Sequence, residues 1–170
     1  IQPDILLCRT ERKVSRELKK KISLFSNVEE DAVITAMDVK SIYQVPLHLH
    51  KEGICKIILQ KLGFPAVEPD LSRWETINQK INKPQGEVDI AIVGKYINLK
   101  ESYKSLAEAL FHGGLENSVQ VNLNWIDAEE IEKEGTDALL KKSDGILVPG
   151  GFGERGIEGK ISAVGYSRAN

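Results

Sequence analysis

The 170-residue chain is 41% apolar and 28% charged, with a formal net charge of -2. That composition suits one or two soluble α/β units and excludes a disordered or fibrous protein, while the small charge leaves no broad basic footprint for nucleic acid. No apolar stretch approaches the roughly 20 residues of a membrane span, and the opening IQPDILLCRTERK carries its charges after its apolar run, unlike a signal peptide.

The chain starts without Met and directly at a strand, so it reads as a piece of a longer protein. Cys8 and Cys55 form no C-x-x-C pair, and with three scattered histidines they offer no metal-ligand spacing. Both read as small buried apolar residues of a reducing, cytoplasmic protein.

DILLCR (4–9) is a short apolar run suited to a strand buried on both faces. In SRELKKKISLF, Ser15 can cap a helix whose Leu18, Ile22 and Phe25 share one face, with Lys19, Lys20 and Lys21 crossing the other. AVITAMDV (32–39) predicts the next strand. GICKIILQKLG predicts a helix with the stripe Ile54, Ile57, Ile58 and Leu62, stopped by a left-handed Gly63. Residues 64–87 then carry Pro65, Pro69, Pro84 and Gly86 around one short helical turn, a linker composition in which Trp74 reads as a pin onto a domain surface rather than a ligand-stacking residue.

A second block begins with VDIAIVGKY. The helix ESYKSLAEALFHGG follows, ended by Gly113 and Gly114, then the strand VQVNLNW, a D-x-x-E cap at Asp127 and Glu130, the helical turn TDALLKKSD and the strand GILVP. Strands alternating with helices imply right-handed crossovers and parallel sheets, whose ligands sit beyond the strand carboxyl ends. GKY and PGGFG both lie at such ends. In PGGFG, glycines let the backbone approach a ligand and turn N–H donors outward, which suits a phosphate or a developing oxyanion. A plain tight turn would show the same glycines, and no G-K-[ST] closes the loop as a Walker motif would.

VDIAIVGKYINLKESYKSLAEALFHGG and SDGILVPGGFGERGIEGK resemble the start of the class I glutamine amidotransferase domain of the CTP synthase family. IQPDILLCR, KISLF and the DV-SIYQVPL stretch resemble the end of that family's synthetase domain. The resemblance runs along essentially the whole chain. It implies an α/β fold: the C-terminal part of a Rossmann-like synthetase domain (residues 1–63), an interdomain linker (64–87), and the N-terminal part of a flavodoxin-like glutaminase domain (88–170).

The family is a cytoplasmic ligase of pyrimidine biosynthesis that aminates UTP to CTP, using ATP with Mg and ammonia from glutamine, with GTP as activator. It implies a homo-oligomer, a tetramer, with nucleotides as ligands and no nucleic acid or membrane partner. By position, Gly150 and Gly151 match the oxyanion loop; Arg9, Met37, Asp38 and Val39 match ATP-binding positions. Lys21 and Phe25 match positions that meet UTP or CTP across a subunit boundary. Arg155, Gly156 and Glu158 match the lid that the family associates with GTP, and Lys95, Tyr96 and Lys104 match positions near the GTP site.

The residues leave other readings open: Phe25 also fits a core stripe, and Lys21 and Lys104 also fit solvated helix faces. The nucleophilic Cys, the Walker loop and the Mg ligands of the family are expected outside this chain, which by itself is expected to be inactive. Two alternatives stand beside this reading: a non-catalytic nucleotide-binding or regulatory flavodoxin-like module, and the glutaminase part of another amidotransferase.

Overall fold

A computed structural model describes residues 2–95, 97, 100–151 and 153–170. The chain forms two compact units, Ile1–Gln79 and Lys80–Asn170.

In the first unit, strand β1 (Leu6–Thr10), helix α1 (Arg16–Ser26), strand β2 (Val33–Met37) and helices α2 (Val45–Lys51) and α3 (Ile54–Lys61) follow in order. Ser15 caps α1 as its spacing predicts, its hydroxyl accepting from the Leu18 N–H at 3.3 Å. β1 and β2 pair in parallel with Leu6 opposite Val33. The core gathers Val28, Ala32 and Val33, with Leu6, Cys8, Ile22 and Ile57 packed against it. Cys8 and Cys55 are free and half-buried, less enclosed than the sequence suggests. Of the expected α1 stripe, Ile22 meets the core, whereas Leu18 and Phe25 are 47% and 88% exposed. Within this chain Phe25 is therefore no core residue.

Helix α4 (Ser72–Asn82) replaces the single turn expected between the prolines. Asn78 explains its persistence: this buried amide donates to the carbonyls of Tyr43 and Trp74 at 2.7 and 2.8 Å, and the Trp74 ring lies 6.4 Å from that of Tyr43. A buried amide with such partners holds the helix against the domain, which spacing alone does not reveal.

The outer edge of β2 is covered by α2 and the residue after it. Glu52 accepts from the Thr35 N–H at 3.2 Å and from Lys19 Nζ at 3.1 Å, and His48 Nε2 lies 3.0 Å from the Thr35 carbonyl. Burial pushes the Glu52 carboxyl up, but the Lys19 ammonium and the Thr35 N–H outweigh it and hold it below its ordinary value of 4.5. A carboxyl depressed on folding contributes stability that is complete above its ordinary value and is lost as pH falls through the lower folded one. Glu52→Gln is expected to flatten the acid limb of the melting temperature, measured from neutrality to below pH 4.5. An acid limb as steep as that of the unaltered protein would remove Glu52 as its source.

The second unit holds β3 (Gly86–Gly94), α5 (Lys104–Glu116), β4 (Val119–Asp127), α6 (Ala128–Glu134), α7 (Thr136–Leu140), β5 (Gly145–Leu147) and α8 (Ile157–Ala169). All strand pairs are parallel, in the order β4-β3-β5. The centre of β3 is sealed, with Ala91, Ile92 and Val93 fully buried. Ala91 and Val93 join Ile126, Ala128, Ile131, Leu140 and Ala163 in one core. Asp127 caps α6 through the Glu129 N–H at 2.9 Å.

Gly113 and Gly114 do not end α5, which continues to Glu116. Gly114 instead lies against β4, where a Cβ would fall 2.8 Å from the Val119 carbonyl oxygen. Close helix–strand packing, not chain reversal, explains that glycine.

Candidate functional site

β3 and β5 are neighbours in the sheet, with Ile92 opposite Leu147, so their carboxyl ends bring Lys95 beside the loop that starts at Pro149. Lys95 is only 6% exposed, and its Nζ donates to the Gly153 carbonyl at 2.8 Å. Lys160, from the first turn of α8, donates its Nζ to the Pro149 carbonyl at 3.1 Å. Arg155 donates Nη2 to the Lys95 carbonyl at 2.8 Å and pairs through Nε with Glu129 at 2.9 Å.

The loop's two flanking carbonyls are thus each held by an ammonium group. Gly150 and Gly151 lie exposed between them. A Cβ on Gly151 would come within 3.2 Å of Lys160 Nζ and 3.6 Å of Lys95 Cδ, which puts this residue directly over both lysines. Gly153 takes φ 79°, a conformation that favours glycine. Exposed glycine backbone beside two ammonium groups is suited to an anion or a developing negative charge.

Past the loop, Arg155, Gly156 and Glu158 line an open recess of about 780 Å³ together with Glu129 and Glu132. Lys104 is exposed at the first residue of α5. Tyr96 lies outside the described residues. Spacing alone did not single out Lys160 or Glu129. The available signal for Lys160 was its placement: a cation in the first turn of a helix opposes the helix dipole and so needs another reason to be there.

The first unit carries a separate pocket of about 420 Å³ at the carboxyl ends of β1 and β2, lined by Arg9, Met37, Asp38 and Val39. Its apolar wall comes from Leu7, Ile42, Val45 and Leu49. Ile42, Val45 and Leu49 sit at helical spacing, a signal that was present in SIYQVPLHL and that sequence reasoning left unused. Arg9 Nε and Asp38 Oδ1 pair at 2.9 Å at the rim, with side chains 85% and 47% exposed. An apolar wall under a charged rim accommodates a flat ring with a polar substituent. Lys21 and Phe25 are exposed on α1 and are not part of this lining.

Among the described residues no group of three or more His, Cys, Asp or Glu could hold a metal ion. No helix among them is long and apolar enough to cross a membrane.

Residues 1–64 match the family model for the CTP synthase N-terminus, and residues 98–170 match that for class-I glutamine amidotransferase. A CTP synthase from Geotalea uraniireducens is 60% identical over 169 residues, covering 99% of this chain and 32% of the relative. One from Syntrophus aciditrophicus is 58% identical over 170 residues, covering 100% of this chain and 32% of the relative. The chain belongs to the CTP synthase family. It spans about a third of the length of the curated CTP synthases it matches. Among solved structures, the glutaminase domain of Trypanosoma brucei CTPS with bound acivicin is 38% identical, with 49% of this chain and 33% of that chain covered and a TM-score of 0.44.

In this portion of a CTP synthase, Cys8 lies in β1 and Cys55 in α3. Neither occupies a strand-to-helix elbow of the kind that presents a nucleophile.

Proposed function

We propose that the polypeptide carrying this chain makes CTP. ATP phosphorylates the 4-oxygen of UTP; ammonia from glutamine hydrolysis then displaces the phosphate, leaving CTP, ADP, phosphate and glutamate. The pocket of Arg9, Met37, Asp38 and Val39 takes ATP, the guanidinium stacking on the adenine and Asp38 accepting from ribose hydroxyls. Gly150 and Gly151 form the oxyanion loop of the glutaminase. Lys21 and Phe25 meet UTP or CTP across a subunit boundary of a tetramer. Lys95, Tyr96, Lys104, Arg155, Gly156 and Glu158 serve GTP activation, and Mg bound with ATP is held from outside this chain. The enzyme works in the cytoplasm.

One observation carries this reading. A single chain matches the CTP synthase N-terminus and then the amidotransferase family, and the first match contains a pocket that joins all four expected ATP residues.

Asp38→Ala in the full-length enzyme is expected to weaken ATP through its apparent affinity by between about 2- and 100-fold, the range of one neutral to charged hydrogen bond. The Arg9–Asp38 pair is exposed on both sides, so its loss should change stability by less than about 1 kcal/mol. Glutamine hydrolysis measured separately should be largely spared. An unchanged ATP dependence with normal stability would take Asp38 out of the nucleotide site.

A further inference from the structure

Lys160 has no role in the reading above, yet its placement is specific. It lies in the first turn of α8, whose N-cap is Gly156 and makes no side-chain cap. A cation there faces the positive end of the helix dipole. The side chain is half-buried and reaches back to the Pro149 carbonyl at 3.1 Å, while Lys95 takes the Gly153 carbonyl at 2.8 Å. Those carbonyls bracket Gly150 and Gly151.

We infer that Lys160 is a positioning residue for glutamine hydrolysis: with Lys95 it ties down the carbonyls flanking the glycine loop and so holds the Gly150–Gly151 backbone against the oxyanion. The inference rests on the loop being the oxyanion site. A peptide plane turns as a unit, so fixing the carbonyl of Pro149 fixes the direction of the Gly150 N–H, and the anchor at the Gly153 carbonyl holds the far side of the loop. The ammonium adds a field of the right sign. It lies 3.2 Å from where a Gly151 Cβ would be, close enough to favour negative charge gathering beside that residue. The group touches neither substrate nor the reacting atoms, so it acts through the loop.

The test uses the full-length enzyme with Lys160→Met, which keeps the stem and removes the charge and donors, and Lys160→Arg, which restores both. CTP formation is measured with glutamine and with ammonium at saturating ATP and UTP, with Gly151→Pro in parallel. For Lys160→Met the glutamine kcat should fall between about 10- and 100-fold, the scale of a donor misplaced by about 1 Å. The KM for glutamine, the ammonium-dependent rate and the melting temperature should stay nearly unchanged, and Lys160→Arg should recover most of the loss.

Equal loss with both nitrogen sources would assign Lys160 to the fold. A rise in KM alone would assign it to substrate binding. Either result, or no loss at all, overturns the inference. If Gly151→Pro is selective for glutamine while Lys160→Met is silent, the brace falls and the oxyanion reading stands. If Gly151→Pro harms both reactions equally, the oxyanion reading falls and takes the brace with it. Should Lys160→Met not fold, Lys160→Gln decides by the same pair of assays.

Discussion

Gly151→Pro in the full-length enzyme is expected to lower glutamine-dependent CTP formation by about 10²- to 10³-fold while the ammonium-dependent reaction continues near its normal rate. Proline removes the N–H of residue 151 and also restricts the preceding residue. Loss of one oxyanion donor carries that scale of effect because the donor acts where charge develops in the transition state, in a site already arranged to receive it. The residue is exposed and belongs to no helix or strand, so the substitution breaks no ladder of hydrogen bonds.

Gly151→Ala is the control. It keeps the N–H, and its Cβ would meet Lys160 Nζ at 3.2 Å, a contact relieved by a shift of about a few tenths of an ångström that leaves the bond to Pro149 in place. Its loss should be much smaller. Ammonium supplied in solution bypasses glutamine hydrolysis, so paired assays with the two nitrogen sources separate a failed oxyanion site from a failed fold. Equal losses in both assays would mean that the loop supports the enzyme as a whole.

Gly159→Ala is expected to destabilise the second unit by about 1–3 kcal/mol or more. Two effects of opposite sign compete. Alanine in a helix interior is favoured over glycine by about 1 kcal/mol. Against this, a Cβ on Gly159 would fall 1.9 Å from the carbonyl oxygen of Ala128, a backbone atom that cannot swing aside. Relief requires α8 to move away from α6, which would loosen the contact of Ala163 with Ala128 and Ile131 in the core. The clash therefore wins.

Gly165, further along α8, is exposed, and a Cβ there would meet nothing within 4 Å. Gly165→Ala should accordingly stabilise the protein by about 0.5–1 kcal/mol. Chemical denaturation of the two variants tests the pair. The close α6–α8 approach would be wrong if Gly159→Ala were neutral or stabilising.

Much of this molecule is legible in its sequence. The apolar runs of β1, β2 and β3, the Ser15 and Asp127 caps and the glycine loop after β5 are local signals, written by side-chain periodicity and by hydrogen bonds that close within a few residues. The motif order of the two blocks was enough to suggest the family. Tertiary structure decided what depends on residues far apart in the chain. It set Phe25 outside the core of its own unit, because α1 turns only part of its apolar stripe inward. It carried α5 through two glycines, because a neighbouring strand wanted the space that a side chain would fill. It also joined Arg9 to Asp38 across a pocket and Lys160 to Pro149 beneath a loop. A helical or strand period states which face a residue occupies, but the partner on that face is chosen by how elements pack, and that choice involves backbone atoms no periodicity encodes.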